Sequence, residues 1–246
     1  MAISADTIYQ RVLTLANKEQ RGYITPQEFN LLANQAQMRI FESYFYTKNQ
    51  RNRAESNRTN EVDETDIDEL LARKLAPFST IAAVTDGNTF PPQVTIDGVA
   101  RDVFQVGMIM ANDLPCQKVS RFEAQRLINS TRHIATTSGQ APIYTDSRAD
   151  GDDIEVYAGS ATPITSNIEA EYFGVPRSVN WTYIVVNGKA LYNSSDASRQ
   201  DFELHRSEED TLVNRILELA GIVINKSGLA QTASSMSANE TQVQNT

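Results

Sequence analysis

Four aspartates, Asp146, Asp150, Asp152 and Asp153, crowd around Gly151 and form the densest carboxylate cluster in the chain. Oxygen donors gathered this closely suit a hard cation such as calcium, and a metal held there would open a route to hydrolysis. The spacing lacks the terminal glutamate and the ligand period of an EF-hand loop, so the better reading is an acidic hairpin turn centred on Asp150-Gly151. The two histidines, His133 and His205, have no partner at metal-ligand spacing. The chain carries no Gly-rich phosphate loop, no G-x-S-x-G elbow and no H-E-x-x-H helix. Cys116, the single cysteine, sits between Pro115 and Gln117 and reads as a small core residue rather than a nucleophile. The expectation is a protein with no catalytic residues and no cofactor. A metal-dependent hydrolase built on the four aspartates is the alternative from another class.

Bulk composition is consistent with a structural role. At 246 residues a chain buries about 70% of its unfolded surface, enough for one large domain or two small ones. A net charge of −9 argues against a protein that grips nucleic acid by neutralising phosphates, but it suits a wall along which DNA slides without sticking. One cysteine excludes an intramolecular disulfide framework and fits a reducing compartment. The first residues, Met1-Ala2-Ile3-Ser4-Ala5-Asp6, have neither the basic nor the apolar region of a signal peptide. No apolar run is long enough to cross a membrane.

The elements fall into an α+β order. Residues 1–76 read as helical. Ser4 or Asp6 caps a first helix whose Ile8, Val12 and Leu15 form one apolar stripe, and Gly22 ends it. Thr25-Pro26-Gln27-Glu28 is a capping box with proline at the first helical position. The helix it opens places Phe29, Leu32, Ala33, Ala36, Ile40 and Tyr44 on one face, as core or subunit interface. Residues 47–66 are basic (Lys48, Arg51, Arg53, Arg58) and then acidic (Glu61, Asp63, Glu64, Asp66), which predicts a mobile charged loop. Thr65 or Asp66 caps a short helix with Ile67, Leu70, Leu71 and Leu75, stopped by Pro77.

Residues 77–204 predict a mainly antiparallel β region inserted between the helical ends. Its signals are a strand over 79–85, a buried strand over 103–110, and a strand at 168–172 with one wet face. Strands at 142–145 and 154–157 flank Asp150-Gly151, and a short helix starts from the Ser120-Arg121-Phe122-Glu123 capping box. Residues 181–186 and 189–192 flank Asn187-Gly188, the pair that suits a type I′ hairpin turn. A final helix over 205–225 begins at Ser207-Glu208-Glu209-Asp210, buries Leu212, Val213, Ile216, Leu217 and Ala220, and meets a stop at Gly221. It is expected to pack on the N-terminal helices. Residues 226–246 are rich in Ser, Ala, Asn, Gln and Thr and predict a tail that orders on a partner.

Several of these residues form a recognisable series. Gly22-Tyr23-Ile24-Thr25-Pro26-Gln27-Glu28-Phe29-Asn30 is followed by Asn34-x-Ala36-Gln37 and Phe41-Glu42, then Pro142-x-Tyr144, Tyr172, Pro176 and Trp181, then Asp201-Phe202-Glu203-Leu204. In pattern and order the chain resembles the head-to-tail connector proteins of tailed bacteriophages, the adaptor, head-completion or ring proteins of the short-tailed and crAss-like groups. The resemblance implies a virion protein of the head–tail junction, assembled in the host cytoplasm. It would form a dodecameric ring of identical copies that extends the DNA channel. Its implied partners are the phage portal protein, an adjacent tail protein, and genomic DNA passing through the lumen without sequence-specific binding; no membrane is involved. Interface candidates are Phe29, Ile40 and Tyr44 on the second helix, and Ile222, Val223, Ile224, Leu229 and Met236 at and beyond the last helix. A tail-tube, gatekeeper or fibre-attachment protein would share this composition. Truncation at Ile224 is expected to leave the fold intact and weaken assembly; size-exclusion chromatography showing unaltered rings would count against a docking tail.

Overall fold

The computed structural model describes residues 3–18, 24–55, 65–84, 89–129, 142–146, 153–158 and 162–223. These form α1 (Ala5–Lys18), α2 (Pro26–Glu55), α3 (Thr65–Leu75), β1 (Ser79–Ala83), β2 (Gln93–Ile96), β3 (Val99–Ala111), β4 (Leu114–Pro115), β5 (Gln117–Lys118) and α4 (Arg121–Ile128). Then follow β6 (Ile143–Asp146), β7 (Ile154–Tyr157), β8 (Ile168–Gly174), β9 (Tyr183–Val186), β10 (Lys189–Tyr192) and α5 (Glu209–Val223). The fold is α+β with mostly antiparallel sheets. Gly22, residues 56–64, residues 85–88, Asp150-Gly151 and residues 224–246 lie outside the described residues.

Local capping sets where the first two helices begin. The Ser4 hydroxyl accepts from the Thr7 N–H at 3.4 Å and opens α1. At α2 the capping box is reciprocal: the Glu28 N–H donates to Thr25 Oγ1 at 3.3 Å and the Thr25 N–H to Glu28 Oε2 at 2.9 Å. The Thr25 N–H and hydroxyl, both donating to the Glu28 carboxylate, hold it below its ordinary value. Once nucleated, α2 continues for 30 residues, about 45 Å at the helical rise. It passes Tyr46 and takes in Lys48, Arg51 and Arg53, so residues 47–55 are helix rather than the expected loop. Extending an existing helix fixes one residue per hydrogen bond, Lys, Arg, Gln and Ala are good helix formers, and cations are favourable at a helix C-terminus.

The chain divides into two compact units, Met1–Pro77 with Pro176–Thr246, and Phe78–Val175. The second interrupts the first, so the expected β region over 77–204 ends at Val175 and the stretch beyond belongs with the helices. In the first unit α5 packs on α1 and α2, and α3 on α2. Tyr9, Val12, Phe29, Ala36, Ile40, Phe41, Tyr44, Leu212, Ile216 and Ala220 are buried there. Leu15, expected on the buried stripe of α1, is exposed. Gly221 does not stop α5, which runs on to Val223 with Gly221 buried. A helical glycine costs about 1 kcal/mol relative to alanine, which the surrounding packing offsets. Arg11 clasps the start of α5 through Glu209 at 2.7 Å and Asp210 at 2.6 Å.

In the second unit the sheet order is β1-β8-β3-β2 with β4 beside β3, and a second sheet runs β5-β6-β7. Ile168, Ala170 and Tyr172 face the core while Glu169 is exposed, the expected one-faced strand. The expected buried strand over 103–110 is instead a 13-residue strand, β3, with exposed Phe104 and Met108. Register shifts between Val103/Gln105 and Val106/Ile109 break its alternation. A hairpin at Asp97-Gly98, both with positive φ, joins β2 to β3. The Ser120 hydroxyl accepts from the Glu123 N–H at 3.2 Å and starts α4, as its capping box predicts.

The extended segment 177–181 is fastened to α2 by three carboxamides on one face of the helix. Asn30 accepts from the Trp181 N–H at 2.8 Å and donates to its carbonyl at 3.2 Å. Asn34 accepts from the Val179 N–H at 2.6 Å and donates to its carbonyl at 3.0 Å. Gln37 donates to the Arg177 carbonyl at 2.8 Å and accepts from the Glu203 N–H at 3.2 Å. A helix side thereby does the work of a partner strand, serving alternate residues of an extended chain. Replacing Asn34 by Ala strands one backbone donor and one acceptor. We expect a loss of about 2 kcal/mol in urea unfolding with an unchanged m-value, whereas exposed Glu42→Ala on the same helix should cost almost nothing.

Candidate assembly site

Trp181 ends the carboxamide ladder and anchors the strands beyond it. It is 1% exposed, and its indole N–H donates to Asp6 Oδ1 at 3.0 Å. Its ring lies 4.2 Å from Tyr9 and stacks at 5.8 Å on both Tyr183 and Tyr192, the facing pair at the base of β9 and β10. Thr182 and Asn193 extend this base by one rung, the Asn193 N–H donating to the Thr182 carbonyl at 2.9 Å and the Thr182 hydroxyl to the Asn193 carbonyl at 2.6 Å.

From that root β9 and β10 run out to Asn187-Gly188, whose φ angles of 52° and 74° give the type I′ turn the dipeptide predicts. Among the described residues the two strands pair only with each other. Their side chains are apolar on both faces and outside any core: Ile184 is 51% exposed, Val185 65%, Val186 44% and Leu191 50%. A lone two-stranded ribbon is marginal in water, and unpaired apolar edges invite pairing with another chain. An apolar hairpin held by a buried tryptophan is therefore a presented surface.

The second unit has a groove of about 680 Å³. Phe90, Pro91, Pro92, Phe104, Val106 and Tyr144 line it, with Lys118 and Asp146 at its polar end. Lys118 binds Asp146 at 2.9 Å and lies 5.9 Å from the centre of the Tyr144 ring. The bond to Asp146 raises the Lys118 pKa, and burial raises that of Tyr144. A smaller polar pocket of about 350 Å³ is lined by Asn112, Asp113, Asn167 and Glu169.

The candidate residues from the sequence scatter. Asp146 ends β6 in its ion pair with Lys118, and Asp153 accepts from the Thr89 hydroxyl at 2.6 Å; Asp150 and Asp152 lie outside the described residues. Among the described residues no three His, Cys, Asp or Glu side chains gather to hold a metal. Phe29, Ile40 and Tyr44 are core, not interface: each is buried within the chain itself, and burial next to Glu208 pushes the Tyr44 phenol above its ordinary value. Ile222 and Val223 continue the backbone of α5, while Ile224, Leu229 and Met236 lie outside the described residues. His205 accepts from the Ser207 N–H at 3.2 Å, capping the turn before α5. The exposed face of the hairpin and the groove were not foreseen; the run Tyr183-Ile184-Val185-Val186, apolar without alternation, was the available signal for the first.

No described helix is long and apolar enough to cross a membrane. A scan of protein-family models and a search of curated proteins returned no match to this chain. Cys116 is half-buried against the sheet core, and burial pushes its thiol up to about 11. Its thiolate is therefore scarce near neutrality, and we expect iodoacetamide to alkylate it roughly a hundredfold more slowly at neutral pH than an unperturbed thiol; peptide mass mapping over time checks this.

Proposed function

We propose that the chain is a virion structural protein that assembles as a ring between the portal and the tail and extends the DNA channel. The observation that supports this most directly is the β9–β10 hairpin, an apolar ribbon exposed on both faces yet rigidly rooted through Trp181. A chain that exposed Ile184, Val185, Val186 and Leu191 without covering them would tend to aggregate; a chain that works as one of many copies covers them in the assembly. The sequence pattern adds support. Asn30, Asn34, Gln37, Trp181 and Glu203, which carry the connector resemblance, meet in the carboxamide ladder and its surroundings. They share one structural task, the fastening of the segment that carries the hairpin. A net charge of −9 favours passage of DNA over its retention.

Native mass spectrometry of the purified chain, alone and with the portal protein of the same genome, tests this reading. The expected result is one defined multimer on the portal. A chain that remains monomeric and ignores the portal would overturn it.

A further inference from the structure

The groove in the second unit is a gap in a sheet. Along one side β3 pairs with β8 from Val103 to Ala111. Along the other side β2 and Pro92 cover β3 up to Val103, and β4 with Cys116 covers Ile109 to Ala111. Between them, on this second edge, Gln105 to Met108 pair with no strand among the described residues. The groove opens over this interval, walled by Phe90-Pro91-Pro92 on one side and by Lys118, Tyr144 and Asp146 on the other. The Pro92 carbonyl accepts the last rung from the Val103 N–H at 3.0 Å, and proline has no N–H to donate, so the wall contributes mainly apolar contact. A vacancy along a strand edge, with an apolar lining and the Lys118–Asp146 ion pair at its rim, is the form of site that accepts an extended strand by sheet augmentation.

The same chain carries a strand of the matching kind. The outer edge of β9 is unpaired among the described residues, and its Ile184-Val185-Val186 run is exposed. From Tyr183 to Tyr192 the hairpin has one charged residue, Lys189, next to the tip and opposite Val186. That charge complements Asp146, whose side chain is still 38% exposed while paired with Lys118.

We infer that the occupant of the groove is a second copy of this chain, with β9 of one copy lying along the Gln105–Met108 interval of β3 in the next and Lys189 approaching Asp146. Each copy then gives a hairpin and receives one. The contact is head-to-tail rather than two-fold, and repetition of a head-to-tail contact closes a ring when its rotation permits. This deepens the proposed function and rests on it, because it supplies the contact from which such a ring would be built.

Two variants and one cross-link test it. In a Cys116→Ser background, Val185→Cys and Gln105→Cys combined in one chain should give a disulfide-linked ladder of multimers on oxidation in the presence of the portal, while either cysteine alone gives none. Separately, Val185→Asp should weaken multimer formation about thirtyfold, with circular dichroism and melting temperature unchanged because the position is exposed. A defined multimer that forms on the portal with no ladder, and that tolerates Val185→Asp, would overturn this pairing and leave the ring reading standing. No multimer under any condition, with the variants folded, would overturn both.

Discussion

The constraint on which the first unit depends is the satisfaction of an extended backbone that bridges to Gln200 through Asn180 on one edge and has only a helix beside it on the other. Residues 177–181 run next to a helix, and a helix has already committed its own backbone groups. Only side chains can serve such a neighbour, and a carboxamide offers a donor and an acceptor on two separate atoms of one planar group. Asn30, Asn34 and Gln37 are spaced by four and three residues, so they share one face of α2. Residues 177, 179 and 181 are spaced by two, so their backbone groups face the same side. The two periods advance by similar distances per step, which lets three side chains of one helix serve alternate residues of the segment. Shifting either element by one residue would leave buried backbone groups without partners, so the ladder also fixes register.

That register positions the exposed hairpin. Trp181 terminates the ladder through its own N–H and carbonyl, and Asp6 fixes its indole. A side chain with its polar atoms satisfied and its ring between Tyr9 and the Tyr183–Tyr192 pair has little freedom to move. The root of the ribbon is thereby fixed in place. A preorganised apolar strand gives up little conformational entropy on docking, which is the advantage of anchoring it in a core rather than presenting it on a loose loop.

Where the determinants are local, the sequence is legible. The two capping boxes, the Asn187-Gly188 turn, the alternation of β8 and the apolar face of α2 are each decided within a few residues, and each forms as expected. The misses share a cause as well. The extension of α2 through residues 47–55 depends on a helix already nucleated upstream, which composition in that window does not register. Gly221 continues a helix because neighbours bury it. The ladder is spread over roughly 150 residues of chain, and no local rule marks Asn34 as a partner of Val179. The resemblance did pick out these amides as a series, without giving the physical reason for them. Phe29, Ile40 and Tyr44 read as interface candidates because helical spacing cannot tell a face covered by the same chain from one covered by a neighbour.

The most deeply buried ion pair among the described residues clarifies what the helices contribute. Lys74, near the end of α3, meets Glu208, in the turn before α5, at 2.6 Å, with 11% and 7% of their side chains exposed. Tyr44 of α2 lies 5.7 Å from the ammonium. Such a pair adds little net stability, because desolvating two charges offsets most of their attraction. Its effect is conditional: either charge alone in that setting is strongly unfavourable, so the end of α3 and the start of α5 must meet beside the middle of α2. The ladder sets α2 against the segment bearing the hairpin, and the ion pair sets α2 against α3 and α5. Two polar devices thus hold the apolar parts in place, and α2 belongs to both. A helix with that double duty has its inner face fully engaged within the chain.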